Sequence, residues 1–320
     1  MGASAETLPQ NQAPIGIGQL AAALPSDLSH APVLGILGVT IGAGLVTLAS
    51  RLLSLGLADL KGHLGISFDD GAWINTAFNA ALIFIGPFTV YLGGLLGPRT
   101  VLLFAAGAFT LISALLPLIQ SYSLLITALV LAGLASGTFY PLTLTFALRN
   151  IPLKFLPFTL ALYATSVDGA VNVAPSLYGF FRDHLSWRWM FWASAVIAPV
   201  MMVLIYYGIP PSPARPRSEP APSFAAFLFG SLGFAFLFMA LDQGERLDWW
   251  RSGLFVALFT VGTFFLLGAL MWRLRGPNPL VAMSFLGKWN TLLLGSELFL
   301  FRFTLLATII LIPQSLAIHG

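Results

Sequence analysis

The stretch LPFTLALYATSVDGAVNVAPSLYGF, residues Leu156–Phe180, is long enough to cross a bilayer and carries one acid, Asp168, near its middle. An ionised carboxylate at membrane depth costs several kcal/mol on most scales, so a residue there has a task or a partner. Helical spacing puts Thr165, Asp168 and Asn172 on one face at i, i+3 and i+7, with Pro175 one turn further. The remaining faces are Leu, Phe, Val and Ala. A polar stripe on an apolar span reads as the wall of a protected cavity or as a seam between helices. Pro175 and Gly179 are expected to break the helix near its end.

Composition agrees with a bilayer setting. The chain is 58% hydrophobic and 8% charged, with a mean hydropathy of +0.88. A soluble domain carries roughly three times that charge. The 27 Phe suit lipid-facing surfaces, and spanning helices tolerate the 21 Pro and 31 Gly. With no Cys, disulfides, thiolate metal sites and Cys nucleophiles are excluded. The four His have no metal-ligand spacing, so no metal site is expected. No G-x-S-x-G, H-E-x-x-H, P-loop or dinucleotide fingerprint occurs, so neither an enzyme nor a cofactor is expected. The basic residues are scattered over loops, which gives nucleic-acid binding no support.

Nine apolar spans are predicted: Val33–Leu53, Trp73–Leu92, Val101–Ile119, Leu124–Phe146, Leu156–Phe180, Trp189–Ile209, Phe224–Leu241, Leu254–Trp272 and Leu292–Ile312. The fold class is therefore all-α integral membrane. Residues 1–31 lack Lys and Arg and read as a mobile tail. Residues 32–210 hold six spans, 211–223 form a Pro-rich linker, 224–273 hold two more spans, and 274–320 hold the ninth. Orientation follows from basic residues in short loops. Eight, among them Arg99, Arg149 and Arg273, fall on one side, against five on the other, where most of the acids lie. That balance places the N-terminus in the cytoplasm.

Few charges lie within the spans: Arg51, Asp168, Glu297 and Arg302. Asp59, near the end of the first span, reads as an interfacial residue that snorkels to water. Arg51 shares a face with Thr47 and Ser54 and either snorkels or pairs with Asp168. Glu297 and Arg302, five apart, are poorly spaced to pair directly. Asn75 and Asn79 at i,i+4, with Tyr140, Tyr163, Thr165 and Asn172, are candidate cavity-lining residues. Gly133 and Gly137 form a G-x-x-x-G pair, read as helix packing.

Several stretches together resemble the major facilitator superfamily, in its fourteen-helix drug:proton antiporter branch (EmrB/QacA-like permeases). These are LADLKGHLGISFDDGAWINTAFNAA (Leu57–Ala81), SWRWMFW (Ser186–Trp192), LDQGERLDWW (Leu241–Trp250) and GPNPLVAMSFLGKWNTL (Gly276–Leu292). The resemblance implies a major-facilitator-type helix bundle that exports small amphipathic compounds in exchange for protons, from the inner membrane, by alternating access. A periplasmic adaptor is a partner by analogy only. Of the helix-five motif, Pro175 and Gly179 remain. The branch's helix-one Asp falls on Ala49, its helix-four Arg on Leu129, and the acid of its loop between helices two and three on Gly94. Asp168 and Arg51 are then the best substitutes for coupling. Fourteen helices need close to 500 residues by this resemblance, at about 30 to 35 each, so the chain is expected to be a fragment. Losses at Ala49, Gly94 and Leu129 also admit a degenerate protein that does not transport.

Overall fold

The computed structural model describes residues 32–151, 155–210, 224–275, 289–301 and 303–304. Ten helices follow in chain order: α1 (Pro32–Leu55), α2 (Leu57–Leu64), α3 (Phe68–Leu96), α4 (Pro98–Leu115), α5 (Tyr122–Ser136), α6 (Phe139–Asn150), α7 (Leu156–His184), α8 (Trp189–Gly208), α9 (Phe224–Gln243) and α10 (Gly253–Arg275). Residues 289–301 are also helical. Among the described residues seven segments are long and apolar enough to cross a membrane. α7 has the length, at 29 residues, but is not one of the seven; its polar stripe dilutes its apolar surface. The ninth expected span, Leu292–Ile312, and the linker at 211–223 lie wholly or partly outside the described residues.

The helix starts have local causes. Ser67 caps α3: its hydroxyl accepts from the Asp70 amide at 3.1 Å, and Asp69 and Asp70 occupy the positive first turn. α2 stops at Gly65, whose φ of 62° is the left-handed conformation glycine adopts without strain. Pro98 opens α4, where its missing amide proton is not needed.

The expected span Leu124–Phe146 falls within one segment long and apolar enough to cross a membrane, Tyr122–Leu148, built of two helices, α5 and α6, interrupted at Gly137–Thr138. Pro141 has no amide hydrogen for the Gly137 carbonyl, and its ring crowds that turn. The reverse holds for Pro175, which does not break its helix: α7 runs on to His184. Asp59 does not simply snorkel, because its carboxylate accepts a hydrogen bond from the Tyr178 hydroxyl.

Packing is tight where glycine allows it. α1 lies against α6, α7 and α8, α3 against α5 and α9, and α4 against α8. A β-carbon on Gly137 would sit 2.5 Å from Ile85 Cγ2 and 2.6 Å from the Leu82 carbonyl. One on Gly44 would sit 2.5 Å from Ser166 Oγ. The G-x-x-x-G pair is thus the α3–α5 contact. Fully buried Leu45, Leu52, Ile74, Leu102, Phe109, Leu129 and Phe139 fill the core between these helices.

Candidate functional site

α1 and α7 run side by side in the same direction. The Ser166 hydroxyl donates to the Thr40 carbonyl at 2.9 Å near one end, and past the other end of α1 Tyr178 reaches Asp59 of α2. Gly44 lies against Ser166 between them. This register brings Arg51 level with about residue 173. Asp168 is then some five residues, or roughly 8 Å of helical rise, further back. Among the described residues no ion pair joins the two, contrary to one of the expectations above.

The stripe on α7 is open. Thr165, Asp168, Asn172 and Pro175 are all exposed, while Ala174 and Tyr178 on the opposite side are buried. The Asn172 side chain donates to the Asp168 carbonyl at 2.8 Å, which holds the amide along the helix. Arg51 and Ser54 are exposed on the adjoining face of α1. A lipid-facing surface of this composition would be costly. The stripe therefore faces either water in a cavity or further protein.

Tyr140 closes one flank. Thr47 donates to the Ala43 carbonyl at 3.2 Å, so in its 2.5 Å contact with Tyr140 the phenol is the donor. Arg51 and Tyr163 lie within electrostatic range of Tyr140. Tyr140→Phe is expected to leave Thr47 with its backbone bond and to cost about 1 kcal/mol of stability, measured by thermal unfolding.

Asn79 is a seam residue. Its Oδ1 accepts from Ser50 at 2.9 Å and its amide donates to the Asn75 carbonyl at 2.9 Å, which ties α1 to α3. The Asn75 side-chain oxygen is buried with no partner among the described residues. Glu297 is exposed on the helical residues 289–301, and Arg302 lies outside the described residues. Sequence reasoning passed over Ser166 and Thr143, whose hydroxyls reach the Thr40 and Val39 carbonyls across helices. No spacing signals such bonds, because both residues also look like ordinary helix-interior hydroxyls.

The three departures have distinct settings. Ala49 and Leu129 line the same small cavity, of about 20 Å³, with Leu53, Phe78, Phe109 and Ser194 around it. That is room for about one water. Ser194 Oγ is buried there without a partner among the described residues. Where the resemblance implies an acid and an arginine, this chain has two apolar side chains closing on a void. Gly94 is different: among the described residues nothing lies within 4 Å of where its β-carbon would be. Arg99, kept from the same loop, places its guanidinium 4.7 Å from the Tyr206 ring centroid.

Helices of this length and apolarity, packed through glycine and with a polar stripe turned outward, define a multi-pass α-helical membrane protein. The comparisons narrow this. The Major Facilitator Superfamily profile matches residues 39–318, and the chain belongs to that family. It is 28% identical over 258 residues to the "Probable multidrug resistance protein EmrY" of Escherichia coli, covering 79% of this chain and 50% of that one. It is 26% identical to the multidrug export protein EmrB of Haemophilus influenzae, covering 86% of this chain and 54% of that one. The fatty acid resistance protein FarB of Neisseria gonorrhoeae is 24% identical, covering 77% and 49%. The chain thus spans about half the length of the curated relatives it matches. Its resemblance to the EmrB-like branch stands.

Proposed function

We propose that this protein takes part in proton-coupled efflux of small amphipathic compounds by alternating access. The observation that carries the reading is the exposed Thr165–Asp168–Asn172 stripe of α7, set beside exposed Arg51 in a family of this fold. Asp168 is the proton-carrying group in this reading, because its side chain is too short to reach the interface from mid-span. Tyr140 and Tyr163 supply aromatic faces for an apolar, cationic or neutral substrate. The names of EmrY, EmrB and FarB, a multidrug resistance, a multidrug export and a fatty acid resistance protein, agree with an amphipathic substrate class. The excess of basic residues in one set of loops supports an N-terminal side in the cytoplasm, and the resemblance to the branch supports the inner membrane. A periplasmic adaptor remains an analogy.

Alternating access needs a second wall facing the stripe. Residues beyond those described, or a second polypeptide, would supply it. Expression in an efflux-deficient bacterium is expected to lower accumulation of a lipophilic cation such as ethidium, with the effect lost when the proton gradient is collapsed. Accumulation equal to that of vector-only cells would count against the reading.

The second reading, a family member that does not transport, is favoured by one observation. Ala49 and Leu129 meet around a void that holds no charge. Substrate-stimulated proton flux in proteoliposomes decides between the two: present for an antiporter, absent for the degenerate form.

A further inference from the structure

The stretch LDQGERLDWW has no part in the proposed site, yet it holds the densest polar network among the described residues. Asp69, Ala72, Trp73 and Thr76 lie at i, i+3, i+4 and i+7, one face of α3. That face meets the end of α9. The Gln243 amide donates to Thr76 Oγ1 and, at 3.3 Å, to the Ala72 carbonyl. Thr76 donates to Asp242 at 2.5 Å. Arg246 donates through Nε to Gln243 Oε1 at 2.5 Å and through Nη1 to Asp69 at 2.9 Å, with its guanidinium 5.5 Å from the Trp73 ring centroid. Gln243 is 4% exposed and Thr76 fully buried, so each removed partner would leave a dry polar atom. A satisfied network of this kind selects one arrangement of the helices that carry it.

The turn that follows is equally determined. Asp248 and Trp249 both have positive φ, which side-chain-bearing residues rarely adopt. The Trp249 amide bonds the Gly244 carbonyl at 2.9 Å, and its indole lies over Gly244, where a β-carbon would be 2.6 Å from the ring. Trp249 and Trp250 then pack on Phe255 of α10. At the other end of α9, Phe224 meets Phe88 edge-on at 5.2 Å, and Phe227 meets Tyr91 at 5.5 Å. α10 packs chiefly on α9, through Gly233 against Leu266 and Gly262 against Leu237.

We infer that the α9–α10 pair is joined to the α1–α8 bundle through one face of α3 and moves with that bundle as a single body. Its mechanical meaning rests on the alternating-access reading; its test does not. Thr76→Val and Gln243→Leu are each expected to lower the unfolding temperature by roughly 2–5 °C. The double variant should lose clearly less than the sum, because the two groups satisfy each other. Strictly additive losses would overturn the joint. A second measurement keeps the joint intact. The chain has no Cys, so Phe88→Cys with Phe224→Cys can be bridged by a short bis-thiosulfonate without background. The bridged fraction in membranes should be unchanged by tetraphenylphosphonium or by a proton gradient. A fraction that falls with either means the pair moves separately, and the inference fails. Neither readout needs transport to occur.

Discussion

Asp168→Asn is expected to bring efflux down to the level of vector-only cells while leaving the amount of protein in the membrane unchanged. The substitution keeps the shape and hydrogen-bonding reach of the side chain and removes its ability to take up and release a proton. Asp168 is exposed on the stripe, and the Asn172 amide bonds its backbone carbonyl, a contact the substitution leaves in place. Asp168→Glu should retain part of the activity, since the titrating group survives one methylene further out. The informative measurement is drug-stimulated proton movement alongside drug accumulation. Loss of both with normal expression fits a coupling acid. Loss of drug movement alone would make Asp168 a substrate contact, and unchanged transport would remove it from the mechanism.

The second large effect concerns stability. Gly133→Ala is expected to destabilise the protein by roughly 2–3 kcal/mol, and Gly133→Leu to prevent accumulation of folded protein. A β-carbon on Gly133 collides with the Phe78 carbonyl oxygen and lies 2.9 Å from the β-carbon of Ala81. The first of these is main chain and has no rotamer to give. α3 and α5 would have to separate, exposing the buried faces of Phe78 and Leu125. Gly179→Ala is the matching control, because among the described residues nothing lies within 4 Å of its added carbon. It should change stability by no more than about 1 kcal/mol, in the favourable direction, since alanine is the better helix former. Thermal unfolding of the purified protein separates the two; equal effects at both positions would contradict the packing described.

Sequence and structure agree best where one physical signal dominates. The run of apolar residues placed α8 at Trp189–Ile209 against an observed Trp189–Gly208, and α9 and α10 at their observed starts to within a residue. The G-x-x-x-G pair was legible as packing because small side chains four apart leave only one use for that face. Proline was not legible by itself: Pro141 interrupts its helix and Pro175 does not. The difference lies in what surrounds each turn, which one chain segment does not record. The site was half legible. The stripe on α7 follows from spacing alone, but the lack of an Arg51–Asp168 pair follows from the register of α1 on α7. That register is set by contacts such as Ser166 with Thr40, distant in sequence. Gln243 was invisible for a similar reason. A glutamine inside an acidic turn announces nothing until α3 is packed against it.

The void shared by Ala49, Leu129 and Ser194 has a consequence for substitution. A carboxylate introduced at position 49 alone would enter an apolar hollow and meet leucine; an arginine introduced at 129 alone would meet alanine. Either first step isolates a charge, which is worse than having neither. A charged pair could therefore occupy this hollow only if both positions changed together: the packing makes the two sites a single unit of substitution, and each apolar side chain holds the other in place.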